Sequence, residues 1–431
     1  MKRARILIFS GVLLVGSAAA VTGTTVIQTQ KAVQAQLDAL NDQLQAYGGR
    51  ATVTSAHHTL LGGDQTTTLT FKDTPEATIT LHSTYRNGPW LPGGQFGASL
   101  ATTDVTFSKA VQAVVDRATH GQPVRLQTLV HFGGRNTTTV NIPAGDLEDG
   151  GTRLTWTPLV ATLESSGDRV QTSSSPLDLQ WTADGASGHI TGVRHQGDSR
   201  LRSDGLTLGD STLSVDRVDV TAQGETATAR GLRGTFRSAL EGATVKASVG
   251  YTLDALSVPQ LPDVRNVKLI WSLGHLDPSA MKTLTQLLQK VNDKTTLEAQ
   301  PEALLEPAAQ LLHAGPVLSL DELSLDAGGG HVGLHASLSF DDPTTIDLRH
   351  LDQDPMALLG HLRLNGRFDA DEVALRTLGN ATGQDIVAVL KDGDLVTQAG
   401  GKLSSVLTFN QQGLLVNGRL VPGTNLNAAM Q

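Results

Sequence analysis

Alternation of apolar and polar residues with a period of two runs through most of residues 51–272 and restricts what this chain can fold into. Thr66 to Phe71 and Leu213 to Val220 show the pattern clearly. Because successive side chains of a strand point to opposite faces, each such stretch predicts a strand with one buried and one solvated face. Turn signals such as Asn87-Gly88 and Asp204-Gly205 separate the stretches. The sequence therefore predicts a large antiparallel β body.

The period changes to that of a helix at Asp277-Pro278, where Asp can cap the helix and Pro can occupy its first turn. A short helix is also predicted at residues 107–119, and further helical patterns occur at residues 370–378 and 385–390. The chain closes with a predicted hairpin whose arms are Leu403 to Phe409 and Leu414 to Val421.

The predicted fold class is mainly β (α+β), with an N-terminal transmembrane helix and a mixed α/β C-terminal region. The predicted divisions are a cytoplasmic tip and membrane anchor at residues 1–27, a juxtamembrane helix at 28–48, a β-rich lobe at 49–276, a helical insertion at 277–316 and an α+β region at 317–431.

The N-terminal segment has the features of a membrane anchor. Lys2, Arg3 and Arg5 precede an uncharged stretch, residues 6–27, that would rise about 33 Å as a helix. Basic residues on this flank keep it in the cytoplasm, so we expect a single pass of a bacterial inner membrane with the body in the periplasm. The alternative is a cleaved signal peptide, for which Ala18-Ala19-Ala20 supplies the small residues. Both interpretations send residues 28–431 across the membrane.

Apolar residues recur at helical spacing directly after the predicted anchor, at Val33, Leu37, Leu40, Leu44 and Tyr47. Gly48-Gly49 ends the pattern. We interpret the stripe as packing against the β body of the same chain. The alternative is a short seam for self-association, for which fewer than three heptads is short.

Charge and composition exclude several functional classes. The net charge of −9 disfavours nucleic acid as a partner, and the absence of cysteine excludes disulfides and thiolate sites. Neither a phosphate-binding glycine loop nor a dinucleotide fingerprint occurs. No cofactor is therefore predicted.

Several segments in their order along the chain resemble the YdgA-like family of bacterial envelope proteins. The resemblance spans nearly the whole chain, and it is carried by the N-terminal anchor and helix together with Arg86-Asn87-Gly88-Pro89-Trp90, Ser203 to Val220, and Leu415 to Leu420. Where the family carries a His-Gly-Pro-Phe-like element, this chain has Asn87-Gly88-Pro89-Trp90, so no role can depend on that histidine. The resemblance implies a retained anchor, a periplasmic body and no known catalysis.

A serine esterase signal is the strongest enzymatic alternative. Gly197-Asp198-Ser199, Gly209-Asp210-Ser211 and Asp347-Leu348-Arg349-His350 look like the Gly-Asp-Ser and Asp-x-x-His blocks of such a family. A nucleophile needs a base within hydrogen-bond reach. However, both serines lie in polar, alternating β segments, and an α/β repeat is missing. We interpret these residues as strand and turn residues.

Histidines and tryptophans are the remaining candidates for binding. His331 and His335 fall on one predicted strand about 13 Å apart, too far for one zinc ion. His57-His58 would point to opposite faces of a strand. No catalytic, cofactor-binding or metal-ligating residue is therefore assigned. The side chains best suited to contact a partner, although tryptophans of this kind more often belong to the core, are Trp90, Trp156, Trp181 and Trp271.

The sequence predicts a non-enzymatic scaffold or interaction module, whose partner is an envelope protein or a second copy of the chain. The alternative is binding of a lipid-like ligand on a concave β face, since one face of each long sheet is apolar and must be covered. A Gly-Asp-Ser type esterase is a distant third.

Overall fold

The computed structural model of the protein describes residues 37, 41, 44, 48–72, 78–290, 301–346, 348, 355–422 and 424. The chain divides into two compact units, Met1–Leu201 and Arg202–Gln431. This boundary falls inside the β-rich lobe predicted at residues 49–276. Both units are mainly β, and their strands pair antiparallel.

The first unit is an antiparallel meander in which most strands pair with the next along the chain. Its elements are β1 (Gly49–Thr59), β2 (Gly62–Phe71), β3 (Ile79–Asn87), β4 (Trp90–Leu91), β5 (Gln95–Phe96), β6 (Ser99–Phe107), α1 (Lys109–Ala118), β7 (Arg125–Val130), β8 (Asn136–Ile142), β9 (Gly145–Asp149), β10 (Thr152–Trp156), β11 (Leu159–Ser166), β12 (Arg169–Ser174), β13 (Leu177–Ala183) and β14 (Ala186–Leu201).

Prolines interrupt three neighbouring strands of this meander at nearly the same level. Pro143 separates β8 from β9, Pro158 separates β10 from β11, and Pro176 separates β12 from β13. Proline cannot donate to a strand ladder. On β14 the corresponding position is Gly192, which has a φ of 65° and donates its amide to Asp178 Oδ1 at 2.7 Å. The breaks therefore form one line across four strands.

The core of the first unit lies on one face of β1–β3 and β6–β8. Ten buried hydrophobic residues form it, among them Leu69, Leu81 and Leu126, each at most 2% exposed. Leu44 belongs to this core and Leu37 packs against it, and both are helical, as is Asn41. The stripe predicted between residues 33 and 47 thus packs on the β sheet where the structure describes it; Val33, Leu40 and Tyr47 lie outside the described residues.

Asn41 ties this helical segment to β1. Its Nδ2 donates to the Ala51 carbonyl at 3.1 Å, and its Oδ1 accepts from the Ala51 amide at 2.6 Å. Gly48, directly before β1, has a φ of 65°, a left-handed conformation that glycine adopts without strain. The helical segment and β1 therefore run antiparallel, side by side.

The second unit is also a meander of successive antiparallel strands, several of which are unusually long. Its elements are β15 (Thr207–Ala222), β16 (Glu225–Glu241), β17 (Thr244–Ser257), β18 (Val264–Leu276), α2 (Pro278–Lys290), α3 (Pro301–His313), β19 (Val317–Ala327), β20 (Gly330–Phe340), α4 (Pro355–His361), β21 (Leu362–Asp371), α5 (Glu372–Thr382), α6 (Ile386–Asp392), β22 (Thr397–Ala399), β23 (Lys402–Asn410), β24 (Gly413–Val416) and β25 (Arg419–Leu420).

The helices of this unit pack in two separate groups. Helices α2 and α3 follow β18 and contact each other, whereas α5 packs on β19, β20 and β21. Helix α2 starts after Asp277, whose Oδ1 accepts from the Ala280 amide at 2.8 Å and from the Ser279 hydroxyl at 2.6 Å. Asp277 therefore caps α2.

The C-terminal hairpin is shorter than the sequence pattern predicted. Its second arm breaks after Val416, because Asn417 and Gly418 both adopt positive φ and start another turn into β25. The Asn417 side chain accepts from the Val406 amide at 2.9 Å. This side chain replaces the missing ladder bond.

The predicted membrane anchor at residues 6–27 lies outside the described residues. Among the helices that the structure describes, none is both long and apolar enough to cross a bilayer.

We expect Asp277→Ala to destabilise α2 at neutral pH by about 0.5–2 kcal/mol, because the cap acceptor is lost. The Ser279 hydroxyl, and then the Ala280 amide, lower the pKa of Asp277 from 3.8. The cap is therefore fully effective above that value and weakens as pH falls through the folded pKa. Thermal unfolding from neutral to acidic pH measures this. Asp277→Asn keeps the acceptor and should lack the acid-dependent loss; equal pH dependence in both proteins would contradict the assignment.

Candidate functional site

The strand register of the second unit sorts its residues onto two faces, since directly opposed residues share a face. One row across the strands consists of Ser211, Phe236, Val249, Trp271 and Leu320. The next row consists of Leu213, Gly234, Tyr251, Leu269 and Leu323. Neither row contains a charged side chain. These strands therefore present a broad apolar surface.

Much of this surface is open to solvent. Its exposed members share this face and are 38–51% exposed; we call them the apolar face, and they are Leu213, Leu232, Phe236, Leu240, Tyr251, Trp271 and Leu318. Single exposed hydrophobic residues are ordinary, but contiguous patches mark binding surfaces. The apolar face is thus the first candidate for a functional site.

Gly234 shapes the middle of the apolar face. A Cβ at this position would lie 3.6 Å from Tyr251 Cε1, so the tyrosine ring covers the glycine backbone. Aromatic rings cover cross-strand glycines in this way. The position between Leu213 and Tyr251 consequently has no side chain of its own and is covered by the tyrosine ring.

The opposite face of the same strands is polar. Arg237 Nε lies 2.8 Å from Asp210 Oδ1, and Lys268 Nζ lies 3.4 Å from Glu322 Oε1. The Ser324 hydroxyl, followed by Lys268, lowers the pKa of Glu322 from its ordinary value. Ionised cross-strand pairs suit a solvated surface. The sheet is therefore amphipathic, with water expected on the charged side.

Among the helices that the structure describes, α5 and α6 cover this apolar surface near the C-terminal strands. Ala370, Leu375, Val387 and Leu403 form a buried cluster there, and Leu403 is completely buried. Phe368 packs against the cluster and lies opposite Leu334, which is itself opposite Leu323. The apolar surface that α5 and α6 cover is thus continuous with the solvent-exposed apolar face.

The serines of the esterase hypothesis occupy ordinary strand positions. Ser199 lies on β14 and its hydroxyl donates to the Val170 carbonyl at 3.4 Å, whereas Ser211 lies on β15 opposite Phe236. Asp347 and His350 lie outside the described residues. The two Gly-Asp-Ser segments fall in different units, and Asp198 is bound to Arg169.

The histidines singled out in the sequence are dispersed. His331 Nδ1 lies 2.7 Å from Asp326 Oδ1, and His335, also on β20, contacts the Asp321 carbonyl of β19. In the first unit, His57 lies 4.0 Å from Asp64, and His58 contacts the Tyr85 hydroxyl. No group of three or more His, Asp or Glu side chains that could hold a metal occurs in the described ranges.

The four tryptophans differ in their surroundings. Trp156 donates to the Pro143 carbonyl at 2.9 Å, and Trp181 packs directly over Gly188, where a Cβ would meet the ring at 1.8 Å. These two are structural. Trp271 is 39% exposed on the apolar face, and Trp90 is 80% exposed in the first unit. The alternating sequence pattern could place Trp271 on an apolar face, but it could not show that this face is exposed to solvent.

A polar cavity of 370 Å³ is present in the first unit, at the turn between β11 and β12. It is lined by Arg135, Glu164, Ser166, Asp168, Arg169, Gln171 and Arg200. Arg169 is bound to Asp198, and it holds the pKa of that carboxyl below its ordinary value. Since acids and bases nearly balance here, the cavity favours neither sign of ligand.

Comparison with known proteins gives one match. A family model described as "Bacterial protein of unknown function (DUF945)" matches residues 1–423. No curated protein and no solved structure matches the chain.

Phe236→Ala and Leu403→Ala test whether the apolar face is open in the isolated chain. We expect Leu403→Ala to cost about 2–5 kcal/mol, since it leaves a cavity, and Phe236→Ala to cost less than about 1 kcal/mol. Hydrogen exchange of the β16–β23 peptides in increasing urea measures both. Equal costs would show that Phe236 is covered.

Proposed function

We propose that this chain, which belongs to the DUF945 family of bacterial proteins of unknown function, is a cell-envelope protein that holds a lipid-like ligand. The ligand's hydrocarbon lies on the apolar face of the second unit. In this proposal the protein is not an enzyme and needs no cofactor. It is anchored in the inner membrane by residues 6–27, its body is in the periplasm, and it is of the YdgA-like kind.

The observation that supports the proposal is that the apolar face is exposed to solvent, while the opposite face of the same strands is charged. Each methylene group removed from water contributes about 0.8 kcal/mol. The two rows across β15–β19 offer hydrocarbon and aromatic contacts, and their side-chain polar groups are the hydroxyls of Ser211 and Tyr251 and the indole N–H of Trp271. Recognition there would depend on the ligand's hydrocarbon and only weakly on its headgroup.

The dimensions of this surface also suit an extended hydrocarbon chain. Strands β15–β18 have 13–17 residues, which corresponds to about 40–55 Å along the strands. Five strands spaced about 4.8 Å apart give a width of about 19 Å. An acyl chain could thus lie flat across several strands.

A scaffold function is the second candidate, and the aromatic content of the apolar face favours it. Phe236, Tyr251 and Trp271 are of the residue types that dominate binding energy at protein interfaces. A partner protein or a second copy of the chain would cover the same residues. The two candidates therefore differ in the occupant and not in the surface.

Photocrosslinking in cells distinguishes these occupants. Cells that produce the full chain are supplied with a fatty acid carrying a diazirine in its chain, and the adducts are mapped by mass spectrometry. We expect adducts on β16–β18 peptides, near Phe236, Tyr251 and Trp271. The double variant Phe236→Glu/Tyr251→Glu should lose most of them, because a carboxylate is costly to bury.

Val406→Glu is the matched control, since Val406 is 53% exposed and lies outside the apolar face. Adducts should persist in that variant. Adducts found only near residues 6–27, or unaffected by the double variant, would contradict the acyl-binding proposal. If the double variant instead dissociates a dimer or releases a crosslinked protein, the scaffold function replaces it.

A further inference from the structure

One end of the first unit carries an exposed apolar group that the proposed function does not use. It consists of Leu60, Leu61, Trp90, Phe96 and Phe132, and we call it the tip. Leu60 is 91% exposed, Trp90 80% and Leu61 71%. Strands β1, β3 and β7 all end here, because alternate strands of an antiparallel meander run in the same direction.

The loops of the tip are joined into one platform. The Asn87 amide donates to the Leu61 carbonyl at 2.9 Å, and its side chain donates to the Leu60 carbonyl at 3.2 Å. The Ala98 amide donates to the Val130 carbonyl at 2.8 Å. Within the loop between β3 and β6, Leu91 is buried and holds the segment down.

Aromatic contacts connect the same loops. The rings of Trp90 and Phe96 meet edge to face with centroids 5.3 Å apart, and Phe96 lies 5.2 Å from Phe132. Such pairs stabilise each other beyond simple burial. The three rings therefore form an ordered cluster that remains largely in solvent.

The charge of these loops differs from that of the chain as a whole. The chain has 42 acidic and 33 basic residues, yet residues 60–61, 88–98 and 131–135 contain no acid and one arginine, Arg135. Burial, followed by Arg135, lowers the pKa of His131 from 6.5, and Glu164 on β11 opposes this shift. Nothing in the tip loops would repel an anionic surface.

The described part of the N-terminal helical segment points toward the tip. Since this segment runs antiparallel to β1, going from Leu44 to Leu37 leads toward the end where β1 meets Leu60.

We propose that the tip inserts into the interfacial region of a phospholipid bilayer and orients the first unit against the membrane. Tryptophan and phenylalanine with leucine are the side chains that enter this region, and they do so to a depth of about 5–10 Å. The occupant is the lipid surface itself, because the platform is exposed, aromatic and free of acids. This proposal concerns a different unit from the acyl-binding proposal, so either can fail alone.

The absence of natural cysteine allows a direct test in the full chain. Leu60→Cys and Phe132→Cys are labelled with an environment-sensitive fluorophore and reconstituted into vesicles of phosphatidylethanolamine and phosphatidylglycerol. Glu148→Cys is the control, because Glu148 is exposed on β9 at the opposite end of the strands. Lipids carrying a doxyl quencher on the acyl chain then report contact with the bilayer.

We expect a blue shift and loss of most emission at positions 60 and 132, and no change at position 148. Replacing Trp90 and Phe96 by Gln should restore the emission at position 132, while the Val389→Gln control, at a position 66% exposed in the second unit, should not. Labels at the tip that remain as unquenched as the label at 148 would overturn the proposal. So would a blue shift without quenching, which would indicate a protein occupant.

Discussion

The apolar face of an amphipathic antiparallel sheet must be covered by another element or a partner, and this requirement applies to both units. In the first unit, one end of the sheet face receives Leu37 and Leu44 from the N-terminal helical segment and becomes a buried core. In the second unit, within the residues that the structure describes, α5 and α6 cover the sheet from β19 onward. Helices of 11 and 7 residues are too short to cover strands of up to 17 residues. The remaining apolar surface stays open and is where we propose function.

Local pattern predicted much of this architecture, because alternation, caps and turn residues act within a few positions. The strand at Leu213, the cap at Asp277 and the strand restart at Val317 could be read from neighbouring residues. The same logic missed the break at Asn417-Gly418. There a turn signal inside an alternating stretch outweighed the alternation, and the Asn417 side chain made the break tolerable.

The candidate site was harder to predict from sequence. Whether an apolar face is exposed depends on whether another element of the fold covers it, and local pattern does not show this. Trp181 and Trp271 both lie in alternating segments, yet one covers Gly188 and the other faces solvent. The tip was harder still: Leu60, Trp90 and Phe132 come from three separate turns, and each turn alone resembles an ordinary loop. Only the strand directions bring them to one end.

The meander topology has a consequence for how such a chain can change over time. In the second unit, most strands pair with their neighbours along the sequence, so a hairpin can be added or lost without rearranging any other pair. A two-strand insertion would widen the sheet by about 10 Å and extend both faces together. The width of the sheet can then change during evolution in steps of one hairpin. The area of the apolar face, and the size of the ligand it can hold, would change with it.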